Sequence, residues 1–356
     1  MHGAKSRQVD ERGVPPGADP LDVTFVVIGL NEAPTLEACL QSVSTAQDTL
    51  KGQSEVIYVD GGSQDDSIDI AKQAGVQRIL GGDRRRKAAE NRNLGLREAR
   101  GQCIQFVDGD MMLDCDWPQV ALDYLVEHPE TAAVCGDLEE VREGPFHRAM
   151  GIDWALPAGP IRYCGGAAMF RRDVLWGLGG FPEDVQYGEE PYLCWRIRNE
   201  LHRNVVKLPH AMARHDFAYT GLLDYWRRTV RVGESYAEIC ARCVTSADPL
   251  WFREVVSNTL WTAAIATGAV GLLVGDFRLK TALLAGAALL VARKTVQTTF
   301  KGHSFGESVI YALHVYSTKP LVTLGQLRWL FRRLAGANRV GAREKSRSRG
   351  KSSQDP

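Results

Sequence analysis

Three short apolar runs, each ended by a glycine-bearing acidic loop, restrict this chain more than any other feature. Residues 23–28 run into Gly29-Leu30-Asn31-Glu32, residues 56–59 into Asp60-Gly61-Gly62-Ser63, and residues 103–107 into Asp108-Gly109-Asp110. Runs of this length bounded by glycine read as buried strands. Between the first two, Pro34 suits a first helical turn, and Leu36, Cys39, Leu40 and Val43 follow at helical spacing. After the second, Ser63 or Asp65 is the expected cap of a helix that includes Ile68 and Ala71. A short strand at 76–80, a helix at 120–126 and a strand at 131–135 continue the alternation. Strand–helix alternation predicts an α/β fold with a mostly parallel sheet and helices on both faces. Such sheets bind ligands at the carboxyl ends of their strands, where all three acidic loops fall.

Asp108 and Asp110 at a strand end suit a hard divalent cation, Mg²⁺ or Mn²⁺, carrying nucleotide phosphates. Asp-Gly is also a common turn after a strand. Arg84, Arg85, Arg86 and Lys87, with Arg92 beyond them, read either as a solvated basic loop or as a cationic lip for a diphosphate. Glu189 and Glu190 open a helix with Leu193, Cys194 and Ile197 on one face. Acidic residues there complement the helix dipole, and they are equally candidates for a general base. A formal net charge of zero gives no reason to expect a nucleic acid partner. The eight cysteines lack the spacing of a disulfide framework, so they read as small buried apolar residues of a protein in a reducing compartment. Residues 1–20 hold no apolar stretch of the secretory type and are expected to be a disordered lead.

Taken together, the motifs of residues 22–235 resemble the inverting family 2 glycosyltransferases of the GT-A (Rossmann-like) fold. Val27-Ile28-Gly29-Leu30-Asn31-Glu32-Ala33 is similar to that family's first strand and nucleotide loop, and Val59-Asp60-Gly61-Gly62-Ser63 with Gln64-Asp65-Asp66-Ser67 to its VDDGSxDxT segment. Arg92-Asn93-Leu94-Gly95 is similar to RNxG, Asp108-Gly109-Asp110 to DxD, and Gly179-Gly180-Phe181 followed by Glu189-Glu190 through Arg196 to GGF and EDxxLxxR. The resemblance implies a nucleotide-sugar site that includes Asn31, Glu32, Asp60, Ser63, Arg92 and Asp108. It also implies a metal held by Asp110, with His215 as a late ligand, and a base at Glu190 or its neighbour Glu189. Two departures stand out: Gly61 replaces the second acid of the DD pair, and the usual ED is Glu189-Glu190. The implied reaction is metal-dependent, inverting transfer from a UDP- or GDP-linked sugar to a hydroxyl on a glycan or lipid-linked acceptor. The processive QxxRW motif is missing, which favours a single addition. A nucleotidyltransferase of similar fold, or a catalytically silent membrane scaffold, are the competing readings.

The last third has a different composition. Residues 255–275 hold no charge over 21 positions, and a second apolar run at 281–292 has only 12 residues. The first suffices for a span and the second is short for one. A hairpin turning at 275–280 keeps both ends on one side, against the alternative of two buried helices in a soluble domain. Residues 321–334 add an amphipathic segment with Trp329, Arg328, Arg332 and Arg333. The expected organisation is a lead (1–20), a catalytic domain (21–250), a hydrophobic helical region (251–335) and a disordered basic tail (336–356), with the protein at the cytoplasmic face of the cell membrane.

Overall fold

The computed structural model describes residues 21–141, 144–154, 156–215 and 221–351, without the side chains of Leu222 and of residues 336–351. The expected lead lies outside them. The chain opens with β1 (Leu21–Gly29), α1 (Ala33–Thr49), β2 (Ser54–Asp60), α2 (Ser67–Gln73), β3 (Arg78–Gly81), α3 (Ala88–Glu98) and β4 (Gly101–Asp108). It continues through β5 (Met111–Leu113), α4 (Trp117–Glu127), β6 (Thr131–Glu140), α5 (Pro145–Gly151), β7 (Gly159–Pro160), β8 (Met169–Arg171), α6 (Arg172–Gly177), α7 (Glu189–Glu200) and β9 (Asn204–His215).

One sheet in the order β3-β2-β1-β4-β8-β6-β9-β5 carries the fold, with β7 added on β9. Its first four strands are parallel, as is the β6–β9 pair. Strand β1 lies between two parallel neighbours, which leaves Val23, Phe25, Val26 and Val27 without exposure, as an unbroken apolar run requires. The antiparallel strand β8 separates β4 from β6, and β5 and β7 also pair antiparallel. The sheet is thus mixed beyond β4. Helix α3 lies close on β1 because residue 95 is glycine: a Cβ there would run into the Val26 side chain.

Two compact units divide the described chain, one carried mainly by residues through 215 and the other by residues from 221 on. The division falls earlier in sequence than the boundary at 250. In the second unit are α8 (Leu222–Cys243), α9 (Phe252–Val274), α10 (Phe277–Thr299) and α11 (Phe305–Lys351). Gly233 of α8 and Gly325 of α11 let their main chains meet, since a Cβ on either would strike the other helix's backbone. Helix α9 turns into α10 through Gly275 and Asp276, and the Asp276 carboxylate caps α10 by accepting from the Leu279 N–H at 2.9 Å. The second arm of the hairpin is therefore a 23-residue helix rather than a 12-residue segment, because Arg278, Lys280, Arg293 and Lys294 shorten the apolar run without ending the helix. Nor are the two helices buried as a pair: Leu273, Val274 and Phe277 at the turn are each about four-fifths exposed, and Leu260, Leu284 and Leu289 are exposed as well. Helix α11 continues to Lys351, past the point where an unstructured tail is expected. Its Ala, Arg, Glu and Lys residues have high helix propensity.

Candidate active site

The loops after β1 and β2 are fastened to each other. The Asn31 main chain sits in the left-handed region at φ 59°, where Asn is better tolerated than most residues. From there the Asn31 N–H donates to Ser63 Oγ at 2.9 Å, and the Gln64 N–H donates to Asn31 Oδ1 at 2.8 Å. The Glu32 and Ala33 N–H groups donate to Ser67 Oγ and Asp65 Oδ2. Residue Asp66, not Ser63 or Asp65, takes the cap position of α2, and Asp65 instead accepts from the Ser67 N–H and hydroxyl. Asp60 is wholly buried, and its carboxylate accepts from the Tyr58 hydroxyl and from the Gly62 and Ser63 N–H groups. Within this structure Asp60, like Ser63, shapes the loop. Gly61 has a physical reason for departing from an acidic pair: a Cβ there would lie 2.8 Å from Asn91 Nδ2 and 3.0 Å from the Gly29 carbonyl oxygen.

At the end of β4, the turn through Gly109 sets Asp108 and Asp110 beside Glu32. The Thr35 hydroxyl donates to the Gly109 carbonyl at 3.0 Å. Strand β5 then pairs antiparallel with β9 so that Met111 faces His215, which brings His215 Nε2 within 3.3 Å of Asp110 Oδ2. Burial, together with the charges of Asp110 and Asp108, pushes the Glu32 carboxyl up to about 7. Of these residues, Asp110 and His215 bring their donor atoms together, and the pair fits a divalent cation that takes its remaining ligands from elsewhere. The oxygen and nitrogen donors are those that Mg²⁺ or Mn²⁺ accepts, and a cation there would offset the negative charge that Asp108 and Asp110 place beside Glu32.

Arg92 links this cluster to α7. Its guanidinium donates to Asp108 Oδ1 at 2.8 Å and to Glu189 Oε1 at 2.9 Å, and lies 5.5 Å from the centre of the Phe181 ring. Burial opposes its charge, but Asp108 and Glu189 hold it above its ordinary value. The sequence places Arg92 with the cationic lip; in the structure it is 4% exposed and spent on these two carboxylates. Gly166 passes directly over the pair, where a Cβ would collide with the guanidinium. The lip itself is partly neutralised, since Arg84 pairs with Glu90 at 2.7 Å and Arg86 with Asp83. Arg85 has no ion pair among the described residues.

Glu190 is 5% exposed and points away from that link. Its Oε1 accepts from the Cys164 N–H at 2.8 Å, from Cys194 Sγ at 3.0 Å and from Cys164 Sγ at 3.4 Å. Burial raises the Glu190 carboxyl above the usual carboxylate range, although these donors draw it back. Neither cysteine stands out as functional in the sequence. Cys194 was detectable, one helical turn beyond Glu190, but nothing local points to Cys164. Asn93 was also missed. It donates to the Phe181 carbonyl and to Glu183 Oε1, and accepts from the Phe181 N–H at 2.7 Å, so that the RNxG and GGF segments are clamped together.

Residues 24–179 match the family described as Glycosyl transferase family 2. The chain is 27% identical over 301 residues to the pre-mycofactocin glycosyltransferase of Mycobacterium tuberculosis, covering 80% of this chain and 61% of that protein. It is 33% identical over 99 residues to glycosyltransferase AglE of Haloferax volcanii, covering 27% of this chain and 32% of the other. The chain thus spans about six-tenths of the length of the mycobacterial relative. Its fold is similar to that of the mannosyltransferase PcManGT from Pyrobaculum calidifontis, solved with GDP-Man and Mn²⁺, at a TM-score of 0.66 and 18% identity over 89% of this chain and 90% of that one. The motifs thus lie on a sheet of the GT-A kind, and the stretch from β1 through α6 is the part of the chain that matches glycosyl transferase family 2.

Proposed function

We propose that this chain transfers a single sugar, with inversion, from a UDP- or GDP-linked donor to a hydroxyl of a glycan or lipid-linked acceptor. The observation that carries the reading is the pairing of Asp110 with His215 beside the crowded Glu32, at the carboxyl ends of the strands, the edge at which sheets of this kind bind ligands. Asp110 and His215 hold Mg²⁺ or Mn²⁺, which when bound neutralises charge on the departing diphosphate. The loops containing Asn31, Glu32, Asp60 and Ser63 form the nucleotide side. Asp108, held by Arg92, faces the donor. Glu190 takes the proton of the acceptor hydroxyl as it attacks the anomeric carbon from the side opposite the diphosphate.

Glu190→Gln removes the proton acceptor at nearly constant shape. Transfer should fall by about 10²–10⁴-fold, the usual contribution of general base catalysis, while calorimetry still detects Mn²⁺-dependent nucleotide binding. The rising limb of the wild-type pH profile should lie above the ordinary carboxylate range, because burial raises Glu190 and only its ionised form accepts a proton. Turnover that survives Glu190→Gln but is lost in Glu189→Gln would move the base by one residue.

The second unit supports a membrane setting. At 1.5 Å per residue, α9 is about 35 Å long, enough for a hydrocarbon core of about 30 Å, and its apolar side chains face outward. Its polar residues Asn258, Thr259 and Thr262 are satisfied by Lys319, Gln326 and Thr323 of α11. We place the catalytic unit at the cytoplasmic face, with the hairpin of α9 and α10 in the bilayer. The protein should sediment with membranes and require detergent for release; quantitative recovery in a detergent-free high-speed supernatant contradicts this placement.

A further inference from the structure

The buried cluster of Cys164, Glu190 and Cys194 is not explained by packing alone. Two thiols 3.5 Å apart would satisfy a core position without a carboxylate between them. Instead three donors converge on one oxygen of Glu190, from α7 itself through Cys194 and from the segment before β8 through the Cys164 N–H and thiol. Oε2 accepts no hydrogen bond among the described residues, and it is not among their fully buried atoms lacking a partner. The two oxygens of one carboxylate are thereby made unequal.

We propose that Cys164 and Cys194 are positioning residues that anchor Glu190 through Oε1 and present Oε2 to the acceptor hydroxyl. The inference rests on Glu190 being the base. In the step it serves, the acceptor O–H proton passes to Oε2 as the new bond to the anomeric carbon forms and the bond to the diphosphate breaks. Anchoring one oxygen limits rotation of the longer Glu side chain, which has one more rotatable bond than the Asp usual at this position. The thiols also stabilise the ionised form in a place with little water. Glu190 sees the charge of Glu189 on its own helix, that of Arg92 from α3, and the buried thiol of Cys135 from β6. Loss of a thiol donor therefore leaves burial and Glu189 to raise the carboxyl further.

The test compares Cys194→Ala, Cys194→Ser and Cys164→Ala proteins with unchanged melting temperatures. Cys194→Ala should lower kcat by about tenfold, as expected for losing a hydrogen bond to a charged group, with donor KM unchanged and the rising pH limb displaced to higher pH. Cys194→Ser, which keeps a donor, should recover most of the loss and return the limb toward its original place. A Cys194→Ala protein with wild-type kcat and pH profile overturns the proposal. Should that variant fail to fold, Cys164→Ala decides the matter: a lowered kcat with the limb displaced to higher pH supports the proposal, and a wild-type profile overturns it. The infrared S–H stretch separates this idea from the assignment of the base, because it needs no turnover. Hydrogen-bonded thiol bands that move in Glu190→Gln support the anchor even if that variant still transfers sugar, and bands that do not move refute it.

Discussion

Asp110→Asn should abolish metal-dependent sugar transfer, with a loss of about 10³-fold or more, in a protein that folds normally. Asn has the shape of Asp, and the Asp110 side chain is about a quarter exposed at the rim of the site, so the exchange neither opens a cavity nor strands a buried group. What it removes is the negative charge beside His215 that recommends this position for a cation. Without that cation, the charge developing on a departing diphosphate has no compensation. Two measurements check this: steady-state transfer, and the rise in melting temperature on adding Mn²⁺, which should be present in the wild type and lost in the variant. Robust transfer by purified Asp110→Asn would remove Asp110 from the metal site.

Arg92→Met should be the most destabilising single change in the site. The guanidinium is 4% exposed and neutralises two carboxylates at once, Asp108 at 2.8 Å and Glu189 at 2.9 Å. Removing it leaves both acids partly buried and facing each other, which for a broken buried ion pair costs about 3–5 kcal/mol. Arg92→Lys should recover little, since an ammonium cannot span both partners as a planar fork does. Denaturant unfolding of the wild type and the two variants measures the effect. A loss below about 1 kcal/mol for Arg92→Met would show that the bridge contributes no more than an exposed pair.

How much of this was legible in the sequence differs by element. Strands β1, β2 and β4 announce themselves because parallel, doubly covered strands must be continuously apolar, and their ends locate the acidic loops. The pairing of Asp110 with His215 was implied only by resemblance. Its cause is the register of β5 on β9, a contact across more than a hundred residues that no local pattern encodes. Arg92 was read as part of a cationic lip because a run of basic residues looks solvated, and burial of one member depends on acids supplied by β4 and α7. Strand β8 is three residues long and antiparallel, so neither length nor periodicity marks it. Helix α10 was underestimated for another reason: hydropathy measures the apolar part of a helix, whereas Arg and Lys at its ends extend the hydrogen-bonded ladder without extending that part.

The clamp formed by Asn93 has a consequence for how such a sequence can change over evolutionary time. One side chain satisfies both main-chain groups of Phe181, and it does so by occupying the space where residue 180 would otherwise carry a Cβ. Asn93 and Gly180 are therefore one inherited unit written in two places. A lineage that acquires a side chain at 180 must give up the amide, and even without the amide the glycine is still favoured, because the main chain there lies at φ 83°.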